Sequence, residues 1–140
     1  MIYPSAFENK IGFTAIRSLV SDNCISPLGR RYCARMGFMT DFEAVRQALL
    51  LANDMLALVE SNASMPTENL HDVTASLGSV KVEGGFMSPQ ELYRLRTSLL
   101  TIARLKDFFA LTDEEGNLRA PRLTAEFSAM LTFPLLECHI

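Results

Sequence analysis

The sequence is short of several things that would identify a function, and each shortage removes a class of protein. Its 140 residues include three cysteines, Cys24, Cys33 and Cys138, with no Cys-x-x-Cys pair. An odd number at irregular spacing is no disulfide framework, so the thiols are expected to pack rather than to ligate, in a reducing compartment. The two histidines, His71 and His139, form no His-Glu-x-x-His arrangement. The adjacent Cys138 and His139 diverge in direction on regular structure, so no metal site is expected. The glycine-bearing stretch 78–85 lacks the Gly-Lys-Ser/Thr ending of a phosphate-binding loop, and no nucleotide is expected to bind there. No Gly-x-Ser-x-Gly elbow occurs, so this chain is not read as an enzyme. No apolar run approaches the ~20 residues of a membrane helix; the longest, 48–59, is broken by Asn53 and Asp54. Residues 1–5 do not begin a secretory signal, so Asn62-Ala63-Ser64 is not read as a glycosylation acceptor. The expected location is cytoplasmic. Nor is there an excess of base: 13 basic residues against 16 acidic give a net charge of −3. That weighs against a free-standing nucleic-acid binder.

What the sequence does have is apolar composition, 49%, arranged with helical periodicity. Phe7, Ile11, Ile16, Leu19 and Val20 predict the buried face of a first helical region, interrupted near its start by Gly12. Ser26 as N-cap with Pro27 behind it opens a second helix. Leu28, Tyr32 and Met36 share one face of it, and Gly37 ends it. A capping box of Thr40 and Glu43 opens a third. Along it Phe42, Val45, Leu49, Ala52, Leu56 and Val59 follow at alternating spacings of three and four. Leu50, Leu51, Met55 and Leu58 widen the stripe, which predicts packing on more than one side. Residues 69–80 read as a shorter helix with Leu70, Val73, Leu77 and Val80 inward and His71-Asp72 at its start. Residues 81–83 read as a short extended piece with no partner strand. Ser88-Pro89-Gln90-Glu91 is a second capping box. It leads into Leu92, Leu95, Leu99, Ile102 and Phe109, with Arg94, Arg96, Arg104 and Lys106 off that stripe. Asp113, Glu114 and Glu115 are solvated charges of a polar turn. Residues 121–131 form a last helix with Leu123, Phe127 and Met130 or Leu131 inward, stopped or restarted at Phe133-Pro134. The whole reads as an all-α, multi-helix bundle: one domain over 1–140, with two long amphipathic helices and shorter connecting ones.

One basic cluster stands out. Arg30, Arg31 and Arg35 lie on a single short helix, Arg31 and Arg35 four residues apart. Three arginines so placed can grip two or three phosphates of a nucleic acid. A solvated face with local ion pairs is the commoner meaning.

Taken in order, the segments resemble the N-terminal region of the second bacterial MutS subfamily, whose members lack the mismatch-reading domain. The residues that carry this are Ile11-Gly12-Phe13-Thr14-Ala15-Ile16-Arg17-Ser18-Leu19, the turn Ser26-Pro27-Leu28-Gly29-Arg30, and the long segment 40–60. Further along are Asp72-Val73 with Ser76-Leu77, then Gly85-Phe86-Met87-Ser88-Pro89-Gln90-Glu91-Leu92, and Phe133-Pro134-Leu135-Leu136. The resemblance implies a helical core or lever that couples a nucleic-acid clamp to ATPase domains. It also implies a longer protein, in keeping with the abrupt ending Leu136-Glu137-Cys138-His139-Ile140. The family's ATPase motifs and nuclease domain are not in these residues, so no cofactor is implied for this chain. ATP and Mg, dimerisation through ATPase domains, and double-stranded or branched nucleic acid as partner are implied for the full-length protein. So is a part in controlling recombination or handling stalled ribosomes. A competing reading is a free-standing helical adaptor whose Met- and Leu-rich stripes dock a partner protein through an apolar groove.

Overall fold

A computed structural model describes residues 6–140 of the chain. The architecture is all-α, with eight helices among the described residues and a single isolated β-bridge between Thr112 and Leu118. Length alone predicts one domain; the contacts divide the chain into two compact units, Met1–Phe38 and Met39–Ile140.

The first unit holds α1 (Phe7–Lys10), α2 (Phe13–Asp22) and α3 (Pro27–Ala34). Gly12 separates α1 from α2 in the left-handed region, with φ of 78°, at the expected interruption. Ser26 caps α3 as predicted, its hydroxyl accepting the Gly29 N–H at 3.1 Å, with Pro27 in the first helical position. The helix ends at Ala34, however, short of Gly37. The Met36 N–H turns back to the Cys33 carbonyl, and the Phe38 N–H is taken by the Glu8 carboxylate at 3.2 Å. The other oxygen of Glu8 pairs with Arg17, whose guanidinium lies 4.9 Å from the centre of the Phe13 ring. One carboxylate thus gathers α1, α2 and the chain leaving α3.

The face predicted to bury α2 is not buried. Ile11, Ile16, Leu19 and Val20 are exposed, while Phe13 and Arg17 turn inward. The ion pair occupies the place where an apolar core would sit. Cys33 is the one buried residue among those described in this unit, and its thiol donates to the Arg17 carbonyl at 3.3 Å.

The second unit holds α4 (Phe42–Glu60), α5 (Thr74–Ser79), α6 (Pro89–Phe109), α7 (Pro121–Ser128) and α8 (Pro134–His139). Asp41, not Thr40, caps α4, accepting the Ala44 N–H at 2.7 Å. Its carboxylate adds a favourable charge at the positive end of the helix. The frame therefore moves by one residue, and Glu43 pairs with Arg46 instead of closing a box. Residues 69–73 are not helical. Asn69 takes a positive φ of 61°. Two α6 hydroxyls then bind the irregular backbone: Thr101 donates to the Glu68 carbonyl at 2.8 Å, and Ser98 donates to that of Asn69 at 3.2 Å. Ser98 also accepts the His71 N–H at 2.9 Å. Asp72 accepts the Thr74 N–H, so α5 begins only there. Residues 80–85 form turns rather than extended chain; Gly85 packs so closely that a Cβ would lie 2.0 Å from the Ser79 carbonyl oxygen.

The Ser88–Glu91 capping box is complete, with Pro89 in the first helical position of α6. α7 stops at Ser128, which leaves Met130 and Leu131 exposed, and Phe133-Pro134 restarts the chain as α8. Lys106 and Arg96 of α6 donate to the carbonyls of Met130 and Glu137, each at 3.0 Å, and so hold that restart in place.

The core joins Leu58 of α4, Leu105 and Phe109 of α6, and Ala120 ahead of α7, with Met65, Leu70, Phe108, Leu123 and Phe127 packed around them. Phe127 lies against Phe109 with ring centroids 4.3 Å apart. Beside this core, Asp54 is 6% exposed. One of its oxygens accepts the backbone N–H of Arg122 and the other the Arg122 guanidinium, each at 2.9 Å. A carboxylate of α4 thereby serves as the missing cap of α7, whose own N-cap residue, Ala120, has no side-chain acceptor. Replacing Asp54 by Ala removes two charge-assisted bonds and is expected to cost about 1.5–3 kcal/mol. In a double-mutant cycle with Arg122→Ala, followed by urea unfolding, the guanidinium bond's share of that loss should appear as coupling, while the bond from the Arg122 backbone N–H, which Arg122→Ala keeps, should not; fully additive single effects would refute the ion pair.

Candidate functional site

Several groups of side chains bear on function, and the structure treats them differently. Arg30 and Arg31 lie on α3, and Arg35 is its C-cap residue. All three are exposed, Arg30 and Arg31 in the middle of the helix and Arg35 at its C-terminal end. Cations there also favour the negative end of the helix dipole.

His71 is half-buried, and its backbone N–H is bound to Ser98. The Nδ1 of His139 lies 2.6 Å from the Leu135 carbonyl one turn back. Among the described residues no group of three or more His, Cys, Asp or Glu side chains is placed to hold a metal ion. Asp113 organises the acidic turn rather than merely decorating it. One of its oxygens accepts the N–H groups of Glu115 and Asn117 at 3.0 and 2.8 Å, and Gly116 closes the loop with a φ of 82°.

The most developed surface lies on α4. Its inner side is formed by Ala44, Leu50, Leu51, Asp54, Met55 and Leu58, buried or half-buried. The alternating stripe is the outer side. Phe42 is 74% exposed, Leu49 65%, Leu56 54% and Val59 60%. Ala52 is exposed with them and Val45 half-buried. Packing on both sides was expected; the chain packs one. Of Leu50, Leu51, Met55 and Leu58, which widen the stripe in sequence, Leu58 enters the core and the other three are half-buried. Sequence periodicity found both faces but did not rank them. The lone carboxylate Asp54 inside an apolar run was the available signal, because a buried acid points to a partner within the fold.

Glu91 is the most perturbed acid. The Ser88 hydroxyl and the Ser88 backbone N–H both donate to one oxygen, at 2.7 and 2.8 Å, and the Ser76 hydroxyl donates to the other at 2.7 Å. These bonds, in that order, with Arg94 nearby, pull its pKa from the ordinary 4.5 down to about 2. The arrangement fastens α5 to the start of α6. It is a structural clasp, since every acceptor site it uses is filled from within the chain.

Among the described residues no helix is long and apolar enough to cross a membrane. Comparison with protein-family models, with curated proteins and with solved structures gives no match to this chain.

The Glu91 clasp has a definite pH signature. A carboxylate depressed in the folded state contributes stability that is complete above its unfolded pKa and is lost as pH falls through the folded one. Its share should therefore be full above about pH 4.5 and vanish towards about pH 2. Urea unfolding across that window should show a shallower acid dependence in Glu91→Gln than in the wild type; parallel curves would show that the clasp contributes nothing.

Proposed function

We propose that this chain is a non-catalytic helical interaction module that binds another protein surface through the outer face of α4. The exposure of Phe42, Leu49, Leu56 and Val59 along that face carries the reading. These side chains add little to the fold of the chain itself, since they remain in water. A contiguous apolar stripe along one helix face marks an interaction site, and such a face is the usual element of helix-in-groove recognition.

A second form of the proposal is the helical core or lever of a MutS-like ATPase. It is supported by the order of two long helices, α4 and α6, with a short helix between them. In that form the surface that covers α4 belongs to the larger protein. ATP and Mg bind elsewhere in it, its ATPase domains dimerise, and double-stranded or branched nucleic acid is held mainly by its clamp. Arg30, Arg31 and Arg35 then add auxiliary phosphate contacts. Both forms give the isolated chain no catalytic role.

The two surfaces can be tested separately. A labelled amphipathic peptide of about three leucine heptads serves as the probe for α4. Binding to the wild type should weaken at least ~tenfold, or about 1.4 kcal/mol, in the combined variant Phe42→Gln, Leu49→Gln, Leu56→Gln and Val59→Gln. The Tm of that variant should stay close to the wild-type value, because exposed substitutions are usually worth less than ~0.5 kcal/mol each. A wild type that ignores the peptide, or a variant that unfolds, would refute the docking face. For the arginines, anisotropy with a labelled DNA duplex should give only weak binding at physiological salt. A tight, salt-sensitive complex abolished by Arg30→Glu, Arg31→Glu and Arg35→Glu would instead make the chain a direct nucleic-acid binder.

A further inference from the structure

The outer face of α4 carries more information than exposure alone. Phe42, Val45, Leu49, Ala52, Leu56 and Val59 alternate at spacings of three and four, the a and d positions of a heptad repeat. That period keeps an apolar seam facing a second, nearly aligned helix, whereas a globular surface needs no such regularity. α4 has 19 residues and is uninterrupted, so the seam runs for about 28 Å.

The sizes along the seam are also sorted. The larger side chains, Phe42, Leu49 and Leu56, hold one heptad position; the smaller ones, Val45, Ala52 and Val59, hold the other. In a parallel pair of identical helices each residue meets itself. Phe42 would then crowd Phe42 at one end, and Ala52 would face Ala52 across a gap in the middle. In an antiparallel pair each layer takes one residue from each position. A two-fold axis between residues 50 and 51 puts Phe42 opposite Val59, Val45 opposite Leu56, and Leu49 opposite Ala52. Every layer then joins a large side chain to a small one, which is the condition for even packing without voids.

The flanking charges fit the same arrangement. Arg46 lies on the same edge of the seam as Asn53 and Glu60, and the antiparallel pair turns it towards those two residues of the second copy. Its present partner, Glu43, is 3.3 Å away in a pair more than half exposed on both sides, which is exchanged at little cost.

Resting on the reading of α4 as a docking face, we infer that its occupant is a second copy of this chain, bound antiparallel through α4. Six seam residues from each copy are far fewer than the ~20–30 of a standard interface, so the dimer is reversible and depends on concentration.

Sedimentation equilibrium of the 140-residue chain tests this. A monomer–dimer equilibrium is expected, with a Kd on the order of 10–100 µM. Leu49→Lys, at the centre of the seam, should weaken it by about tenfold or more without changing the circular dichroism or Tm of the monomer. Leu135→Lys, at a still more exposed apolar site on α8, should leave it unchanged. Orientation is read in a Cys138→Ser background: Phe42→Cys and Val59→Cys chains should form a disulfide when mixed, and neither alone. A monomer throughout the concentration range, a dimer indifferent to Leu49→Lys, or cross-linking of Phe42→Cys with itself would each overturn the inference. If the chain stays monomeric yet still binds the leucine-heptad peptide through α4, the docking face stands and the second copy falls. If neither is seen, both fall.

Discussion

The second unit depends on the attachment of Asp54 to the start of α7. Helix α7 is eight residues long, below the length at which a helix sustains itself in water, and its N-cap residue supplies no acceptor. Without an outside cap its first turn has open N–H groups. Asp54 provides that cap from α4 and neutralises its own burial on the Arg122 guanidinium. Once α7 is pinned, Leu123 and Phe127 are delivered onto Leu105 and Phe109, and the core closes around Leu58 and Ala120. One carboxylate therefore turns two separate long helices into one packed body, and it determines which side of α4 faces inward. The exposure of the opposite side follows from it.

A related economy appears in the connection between α4 and α6. Residues 68–71 have no helical ladder, and their backbone groups are served by Ser98 and Thr101, two buried hydroxyls of α6. Hydroxyl-bearing side chains in the middle of a helix usually weaken it. Here they satisfy backbone groups of a neighbouring irregular segment that has no ladder of its own.

Much of this was legible in the residues. Ser26-Pro27 and Ser88-Pro89-Gln90-Glu91 are local signals whose meaning is complete within four residues, and both helices begin where those signals say. The ends of α3 and α7 were not legible, because distant groups decide them: Glu8 takes the Phe38 N–H thirty residues away, and two α6 cations draw in the chain beyond Ser128. The start of α5 was missed for the same reason, its apolar periodicity giving way to hydrogen bonds from α6. Thr40 is the cap the sequence suggests and Asp41 the one the fold uses, which moves the frame by one residue without moving the helix. The candidate face on α4 was visible as a stripe, but its orientation was not. That was decided by Asp54, and the sequence marks Asp54 only as an interruption.

The first unit is built on a different principle, with consequences for how it moves. Its helices meet around an ion pair and one small buried side chain, and a unit with so little buried apolar area sits at the low end of local opening free energies. Hydrogen exchange in α2 and α3 is therefore expected to be faster than in the core helices of the second unit. Cys33 is the buried side chain among the described residues of this unit. Its thiol is shielded while the unit is closed and meets solvent when it opens, so the rate at which Cys33 reacts with a disulfide reagent is a direct clock of that breathing.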